Sequence, residues 1–189
     1  LVVSVELGSL IFSKQAQTPT DLVGVALFGD GAAAVLMGGD DTPGEGIRIA
    51  RTRTHLFKDS RHLMGWRFTD DGMRLVLSRD IPSLVGSHVA PVVQDFLRDA
   101  GLSIANITHH ILHPGGAKVM STYRSALGLS DEALSIAREC MRQFGNLASA
   151  AVLVMLSNLV ASGVPRPGDT GLMLALGPGF AAEMLAIAW

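Results

Sequence analysis

Two polar side chains, His113 and Asn146, could do chemistry, because each lies next to apolar residues and within two positions of a glycine. His113 ends the predicted strand that begins at Ile107, and Pro114-Gly115-Gly116 follows it. Proline lacks a ladder donor and glycine allows close backbone approaches, so a strand is predicted to stop with one imidazole at its end. Ligands of α/β sheets usually bind at such strand ends. The alternative is a buried histidine whose hydrogen bonds are satisfied within the core.

Asn146 follows Gly145 directly before the apolar residues 147–161, which predict a core helix. The commonest role of an asparagine in this position is to cap the helix. Its side-chain amide could instead donate a hydrogen bond into a cavity. We therefore treat His113 and Asn146 as a candidate pair that the fold must bring together.

The remaining histidines and the single cysteine are weaker candidates. Strand alternation puts His109 on the same face as His113 and His110 on the opposite face. A histidine pair without a third ligand is poor evidence for a metal site, so no metal is predicted. Cys140 has no partner for an internal disulfide and no base or dipole nearby that would yield a reactive thiolate, so we interpret it as structural.

Composition narrows the class of protein. Of the 189 residues, 48% are hydrophobic and 17% are charged, and the net charge of −2 with no basic run argues against nucleic-acid or membrane-surface binding. No membrane span is predicted, because the apolar residues 171–189 are interrupted by Gly177-Pro178-Gly179 and include Glu183. The predicted compartment is the cytoplasm. The first residues lack a methionine and a basic region, so they are interpreted as a strand already under way in a longer protein.

The elements that must position the pair alternate between strands and helices. Strands are predicted over residues 1–12, 32–37, 47–56, 73–77 and 107–113 from β-branched or alternating sequence. Helices are predicted over residues 22–28 with Asp21 as cap, from Asp80 to Gly101, over 116–127, from Ser130 onwards and over 147–161. Residues 58–71, including Trp66, are predicted to form a charged loop, and residues 171–188 a terminal hairpin. This order predicts an α/β fold, a layered sheet covered by helices, with a domain boundary between residues 40 and 41.

Four motifs resemble the type III polyketide synthases, the chalcone synthase-like branch of the thiolase fold. They are Ala26-Leu27-Phe28-Gly29-Asp30-Gly31-Ala32-Ala33-Ala34, His113-Pro114-Gly115-Gly116, Phe144-Gly145-Asn146-Leu147-Ala148-Ser149-Ala150 and Leu176-Gly177-Pro178-Gly179-Phe180. The amino-acid sequence around Glu6 and Asp80 is more similar to the bacterial members, of alkylpyrone or alkylresorcinol type, than to the plant ones. The resemblance implies a thiolase-like fold, with the end of the N-terminal half in residues 1–40 and the C-terminal domain in residues 41–189.

The resemblance also implies an activity. Members of that family condense an acyl-CoA starter with malonyl-CoA by iterative decarboxylative Claisen condensation, act as homodimers and use free CoA thioesters without a metal or redox cofactor. Their Cys-His-Asn triad maps its histidine onto His113 and its asparagine onto Asn146. The nucleophilic cysteine and the cations that hold the CoA phosphates are expected upstream of Leu1, and Cys140 matches no family motif.

Further positions match residues that shape the substrate passage of the family. Phe28 matches a gatekeeper at the junction of CoA tunnel and cavity. Leu75 replaces a second gatekeeper phenylalanine of plant members, which implies a wider passage for a long acyl chain. Gly8 and Ile11 replace hydroxyl residues of chalcone synthases, which argues against a chalcone product. The other matched positions line the elongation cavity, the CoA arm or a supporting loop: Trp66, Ala148, Gly115, Gly116, Gly177, Pro178 and Gly179.

Two alternatives remain open at the level of sequence. A ketoacyl synthase III-like condensing enzyme also uses Cys-His-Asn, although Pro-Gly-Gly after His113 and the Gly-Pro-Gly turn favour the polyketide branch. The second alternative is a catalytically inactive remnant or an interaction module that lacks the nucleophilic cysteine.

Overall fold

The structure of the protein is a computed structural model that describes residues 1–11, 18–43, 46–70 and 72–189, with the side chain of Ile11 outside that description. The predicted role of Ile11 in the elongation cavity therefore lies outside the described residues. Three sheets are present in the described chain: a two-stranded pair β1-β2, a four-stranded sheet in the order β3-β8-β7-β6 and a second two-stranded pair β4-β5.

The first sheet pairs β1 (Val2–Leu7) antiparallel to β2 (Asp30–Val35). The strand predicted over residues 1–12 is thus shorter, because Gly8–Ile11 turns into a 3₁₀ helix. Helix α1 (Pro19–Leu27) connects the two strands. Its cap is Thr18 rather than the predicted Asp21. The Thr18 hydroxyl accepts from the Asp21 N–H at 3.1 Å, and the Asp21 carboxylate accepts from the Thr18 N–H at 3.2 Å, which is a capping box.

The main sheet contains β3 (Arg48–Leu56), β6 (His109–Leu112), β7 (Thr170–Gly177) and β8 (Ala181–Ala188). Strand β6 runs parallel to β7, and β8 is antiparallel to both of its neighbours, β7 and β3. The predicted terminal hairpin is therefore present as β7-β8, and the strand predicted over residues 47–56 is β3. Strands β7 and β8 are mostly apolar, as expected where both faces are covered, whereas β3 carries three arginines and is mostly exposed.

The predicted charged loop around Trp66 is wrong. Residues Met64–Thr69 form β4, which pairs antiparallel with β5 (Gly72–Leu77). The apolar residues Met64, Trp66 and Phe68 alternate with Gly65 and Arg67, which is the period of a strand. The charges of the preceding segment obscured that alternation.

Helices cover both faces of the main sheet. One apolar cluster joins α2 (Ile81–Leu84), α3 (Ala90–Asp99) and α4 (Ala117–Leu127) to the face that carries Leu112, Leu174 and Met184. A second cluster joins α5 (Ser135–Phe144) and α6 (Ala150–Ala161) to the face that carries Ile111, Met173 and Ile187. The predicted α/β architecture is confirmed. The predicted cap of α2, Asp80, precedes the helix but its carboxylate makes no capping hydrogen bond.

The α2–α3 segment is not one uniform helix, because the π-helical turn Val85–Val89 separates its two α-helical parts. Within the described residues, no helix is both long enough and apolar enough to cross a membrane. The predicted domain boundary at residues 40 and 41 falls between β2 and β3 and stays a prediction.

Candidate active site

His113 follows directly after β6, where parallel pairing ends. Its N–H donates to the Leu174 carbonyl at 2.8 Å, and its own carbonyl accepts from the Gly115 N–H at 3.0 Å, which closes a tight turn. Only 7% of the residue is exposed, and within the described chain its ring nitrogens have no hydrogen-bond partner. Burial lowers the pKa of His113 to about 4, against a smaller opposing effect of the Glu6 charge. The imidazole is therefore neutral at neutral pH, with one nitrogen able to donate and one able to accept.

A cavity of about 400 Å³ opens from His113. Gly115 and Gly116 line it, together with Leu27 of α1 and Leu176 of β7. The two glycines therefore lie beside His113 on the same hollow, as their predicted place along a substrate arm requires. That they contact CoA stays a prediction.

Asn146 lies in the connection between α5 and α6 and is 4% exposed. Its N–H donates to the Leu27 carbonyl at 2.7 Å, and its carbonyl accepts from the Gly29 N–H at 3.1 Å, so Phe28 is fixed alongside it. The side-chain oxygen Oδ1 accepts from the Ala148 N–H at 2.9 Å. Helix α6 begins only at Ala150, so the alternative role of Asn146 as helix cap is wrong.

The Asn146 side-chain nitrogen Nδ2 takes part in none of the hydrogen bonds of the described residues. Because Oδ1 is held by the Ala148 N–H, the orientation of the amide is fixed and Nδ2 is left as a donor. Ala148 itself has φ of 45°, a left-handed conformation that is uncommon for a residue with a Cβ. The predicted place of Ala148 in the elongation cavity stays a prediction.

Close backbone packing explains the glycines on either side of this contact. A Cβ on Gly29 would lie 2.0 Å from the Phe144 carbonyl oxygen, and one on Gly145, whose φ is +72°, would lie 2.8 Å from the Leu27 carbonyl oxygen. Real Cβ atoms do not approach backbone oxygens so closely. The two glycines therefore allow the segment that carries Asn146 to lie directly against the end of α1.

Glu6 is a site residue that sequence reasoning missed. Its carboxylate accepts from the Ser149 N–H at 3.1 Å and from the Ser149 hydroxyl, three residues after Asn146. Its negative charge also opposes, in part, the lowering of the His113 pKa by burial. Glu6 of β1 thus acts on both the Asn146 segment and His113. The available signal was a single carboxylate in an otherwise apolar strand, Val5-Glu6-Leu7.

The structure brings other predicted residues together in pairs. Gly8 lies against Phe28, and both line a second cavity of about 450 Å³. Leu75 and Trp66 are direct partners across β4 and β5, and Trp66 is 40% exposed. Gly177 is the last residue of β7, and Pro178 and Gly179 follow it in the turn to β8, while neighbouring Leu176 lines the His113 cavity. The contact of His113 with Asn146 around one substrate stays a prediction, as do the roles of these pairs.

The family model of the chalcone and stilbene synthases, C-terminal domain, matches residues 48–188. The chain belongs to this family. It is 41% identical over 192 residues to the 1,3,6,8-tetrahydroxynaphthalene synthase of Streptomyces peucetius subsp. caesius. The aligned region covers 100% of this chain and 51% of that protein. It is 32% identical over 193 residues to the 3,5-dihydroxyphenylacetyl-CoA synthase of Amycolatopsis balhimycina, with 97% and 52% covered.

The structural comparison agrees with the family. The crystal structure of 1,3,6,8-tetrahydroxynaphthalene synthase from Streptomyces coelicolor A3(2), a bacterial type III polyketide synthase, matches with a TM-score of 0.90 at 27% identity, covering 99% of this chain and 53% of that one. The predicted resemblance and the predicted thiolase-like fold are confirmed. The chain spans about half the length of the curated relatives it matches.

His109 is a structural residue in this chalcone and stilbene synthase domain. Its Nε2 lies 2.8 Å from the Asp169 carboxylate, and its ring packs edge-on against Trp189. His110 is buried on the opposite face, and its Nε2 has no hydrogen-bond partner among the residues that the structure describes. Among the described residues, no three His, Cys, Asp or Glu side chains cluster as metal ligands.

Cys140 of this synthase domain is expected to be unreactive in the native protein. It lies in α5, 2% exposed within the apolar cluster that contains Ile111 and Met155, and burial raises the pKa of its thiol. Because the thiolate is the reactive form, an alkylating reagent should modify Cys140 only after unfolding. Mass spectrometry of peptides from native and unfolded full-length protein measures this. Rapid modification of native Cys140 would contradict the buried position.

Two buried histidines have strongly lowered pKa values, and we therefore expect the protein to lose stability in acid. Burial lowers the pKa of both His110 and His113 from 6.5 to about 4. The unfolded chain therefore binds protons below pH 6.5 while the folded chain does not until about pH 4, so the free energy of unfolding falls as pH falls through this window. The expected loss is up to about 3 kcal/mol per histidine.

Denaturant unfolding of the full-length protein between neutral pH and about pH 4 measures that loss. Replacing His110 by Gln should reduce the slope of stability against pH, because one titrating group is removed. Replacing the exposed His88 by Gln should leave the slope unchanged. A slope that is equally steep in all three proteins would refute the assignment to buried histidines.

Proposed function

We propose that the full-length protein is a type III polyketide synthase that condenses an acyl-CoA starter with malonyl-CoA by iterative decarboxylative Claisen condensation. The observation that carries the proposal is the buried, neutral imidazole of His113, whose ring nitrogens have no partner in the described chain and which opens on a cavity. The Asn146 amide, held through Oδ1 with Nδ2 as a remaining donor, supports it. The names of the relatives, as synthases, support the same class of reaction.

The chemistry accounts for a histidine and an asparagine acting together. When malonyl-CoA loses carbon dioxide, the electron pair of the broken carbon–carbon bond moves into an enolate, and negative charge develops on the thioester oxygen. His113 and Asn146 donate hydrogen bonds to that oxygen, and one such donor typically changes a rate by roughly 10²–10³-fold. The enolate carbon then attacks the enzyme-bound acyl thioester, forming a new carbon–carbon bond and releasing the cysteine thiolate.

The nucleophile of this scheme lies outside the 189 residues. Cys140 is buried and its thiol pKa is raised, so it does not supply a thiolate. In the proposal, the cysteine belongs to the part of the full-length protein upstream of Leu1, and the 189-residue chain alone is inactive. The full-length protein acts as a cytoplasmic homodimer on free CoA thioesters, and none of the proposed steps transfers electrons to a redox cofactor or needs a metal.

The test uses the full-length protein with acyl-CoA and malonyl-CoA of labelled carboxyl group. Wild type should release labelled carbon dioxide and form polyketide products, and His113→Ala should reduce decarboxylation by roughly 10²–10³-fold. His88→Ala, which removes an exposed histidine, is the matched control and should retain wild-type rates. Wild-type decarboxylation by His113→Ala, or absence of product from wild type, would overturn the proposal.

A further inference from the structure

Ser60 is a buried polar side chain that the proposed chemistry does not use. It lies in the connection between β3 and β4, and it is the only buried serine or threonine among the residues that the structure describes. Burying a hydroxyl costs free energy unless hydrogen bonds compensate for the lost water. The partners of this hydroxyl therefore show which parts of the fold it holds together.

The Ser60 hydroxyl joins two segments that are far apart in the sequence. It donates to the Phe57 carbonyl at 2.5 Å and accepts from the N–H of Phe180, 120 positions away, at 2.7 Å. The Phe57 N–H donates in turn to the Phe180 carbonyl at 2.9 Å, and the two rings pack with their centroids 5.9 Å apart. One buried hydroxyl thus closes a ring of hydrogen bonds between the end of β3 and the residue before β8.

The backbone of Ser60 connects the same point to the β4-β5 pair. The Ser60 carbonyl accepts from the Leu63 N–H at 3.0 Å, and the Leu63 carbonyl accepts from the Ser78 N–H at 2.7 Å. Leu63 directly precedes β4 and Ser78 directly follows β5. We call the five residues that these bonds link the Ser60 junction: Phe57, Ser60, Leu63, Ser78 and Phe180.

The β4-β5 pair and the β7-β8 hairpin, which meet at the Ser60 junction, also supply walls of the cavity that opens from His113. Met64 is the first residue of β4, Leu77 is the last of β5 and Leu176 lies one residue before the end of β7, and all three line that cavity. Because these walls come from separate segments, the distance between them depends on the contact that joins the segments. That contact is the Ser60 junction.

We propose that Ser60 is a positioning residue that sets the spacing of the walls of the His113 cavity and thereby the length of the polyketide that the full-length protein releases. The inference rests on the proposed function, in which a chain grows by successive condensations beside His113. Ser60 is not among the described residues that line the cavity, so it acts through Met64, Leu77 and Leu176. Without its hydroxyl, the buried Phe180 N–H loses its partner and the hairpin moves to recover a hydrogen bond.

The test replaces Ser60 by Ala in the full-length protein and makes two measurements. Hydrogen exchange of the Phe180 N–H, followed by mass spectrometry of peptides that contain it, should become roughly 10- to 100-fold faster. With a defined acyl-CoA starter and malonyl-CoA, the ratio of products that differ by one condensation should change roughly 10-fold, as expected when a pocket wall moves by about one methylene group. Such a ratio does not depend on the fraction of protein that is folded.

Ser60→Thr keeps the hydroxyl and should restore both the slow exchange and the wild-type product ratio. Ser125→Ala is the matched control, because it removes a serine hydroxyl that donates to a backbone carbonyl on the exposed side of α4. It should change neither measurement. If Ser60→Ala does not fold, Ser60→Cys takes its place, since a thiol of similar size forms only weak hydrogen bonds.

A wild-type product ratio in the folded Ala or Cys variant would overturn this inference alone, even if exchange becomes faster, because the role of Ser60 would then be limited to stability. A changed ratio that Ser60→Thr does not restore would also overturn it, since the hydroxyl would not be the cause. Wild-type protein that forms no polyketide would overturn the proposed function and the effect on product length with it.

Discussion

Replacing Asn146 by Ala in the full-length protein is expected to lower malonyl-CoA decarboxylation by roughly 10²–10³-fold, because a fixed donor to the developing enolate oxygen is lost. The substitution also removes Oδ1, which accepts from the Ala148 N–H at 2.9 Å and shapes the start of α6. Loss of activity in this variant alone therefore does not separate donation from loop geometry.

Asn146→Asp separates the two effects. The carboxylate keeps an oxygen acceptor for the Ala148 N–H but replaces the Nδ2 donor with a second acceptor. We expect decarboxylation to fall as far as in Asn146→Ala, while the melting temperature stays closer to that of wild type. Asn158→Ala, an exposed position within α6, is the control and should retain activity. Full activity of Asn146→Asp would exclude the donor role.

Replacing Gly29 by Ala is expected to damage both stability and activity. The new Cβ would lie 2.0 Å from the Phe144 carbonyl oxygen, a backbone atom that no rotamer change can move. The Phe144–Gly145–Asn146 segment must shift away from α1, which should cost about 1–3 kcal/mol or more of unfolding free energy. A displacement of catalytic groups by about 1 Å can itself lower a rate roughly 10²-fold.

Gly65→Ala is the matched control for this prediction. Gly65 lies in β4, and no atom lies within 4 Å of the Cβ that alanine would add. Since glycine in a strand costs backbone entropy, alanine there should be neutral or stabilising by about 0.5–1 kcal/mol. Denaturant unfolding and decarboxylation rates of both variants make the comparison. If Gly29→Ala matched Gly65→Ala in both measurements, the tight packing of the Asn146 segment would be refuted.

Local signals made several elements predictable. Helix α4 ends at Leu127 and is capped by Gly128, whose left-handed φ of +68° glycine adopts readily. The predicted range of the helix differs from the structure by one residue at the start. The β7-β8 hairpin follows from two apolar runs around Gly-Pro-Gly. His113 at a strand end was likewise predictable, because Pro-Gly-Gly stops the ladder locally.

Contacts between distant residues explain what the sequence could not show. The hydrogen bond from the Ser149 N–H to Glu6 joins residues 143 positions apart, so no local pattern encodes it. The same is true of the backbone bonds that hold Asn146 against Leu27 and Gly29. The wrong prediction of Asp21 as the cap of α1 has a local cause instead. Thr18-Pro19-Thr20-Asp21 is a capping-box pattern in which Thr18 is the N-cap and Asp21 is the third helical residue.

Strand β8 is the last of the described strands in the chain and yet lies inside the main sheet, between β3 and β7. During synthesis β3 and β7 therefore have no common partner until the ribosome has released residues Ala181–Ala188. The edges that β8 will occupy keep unpaired backbone N–H and C=O groups until then, a state in which nascent chains readily associate with one another. A premature stop codon in place of Ala181, which removes β8 and everything that follows it, should consequently produce insoluble material instead of a shortened domain.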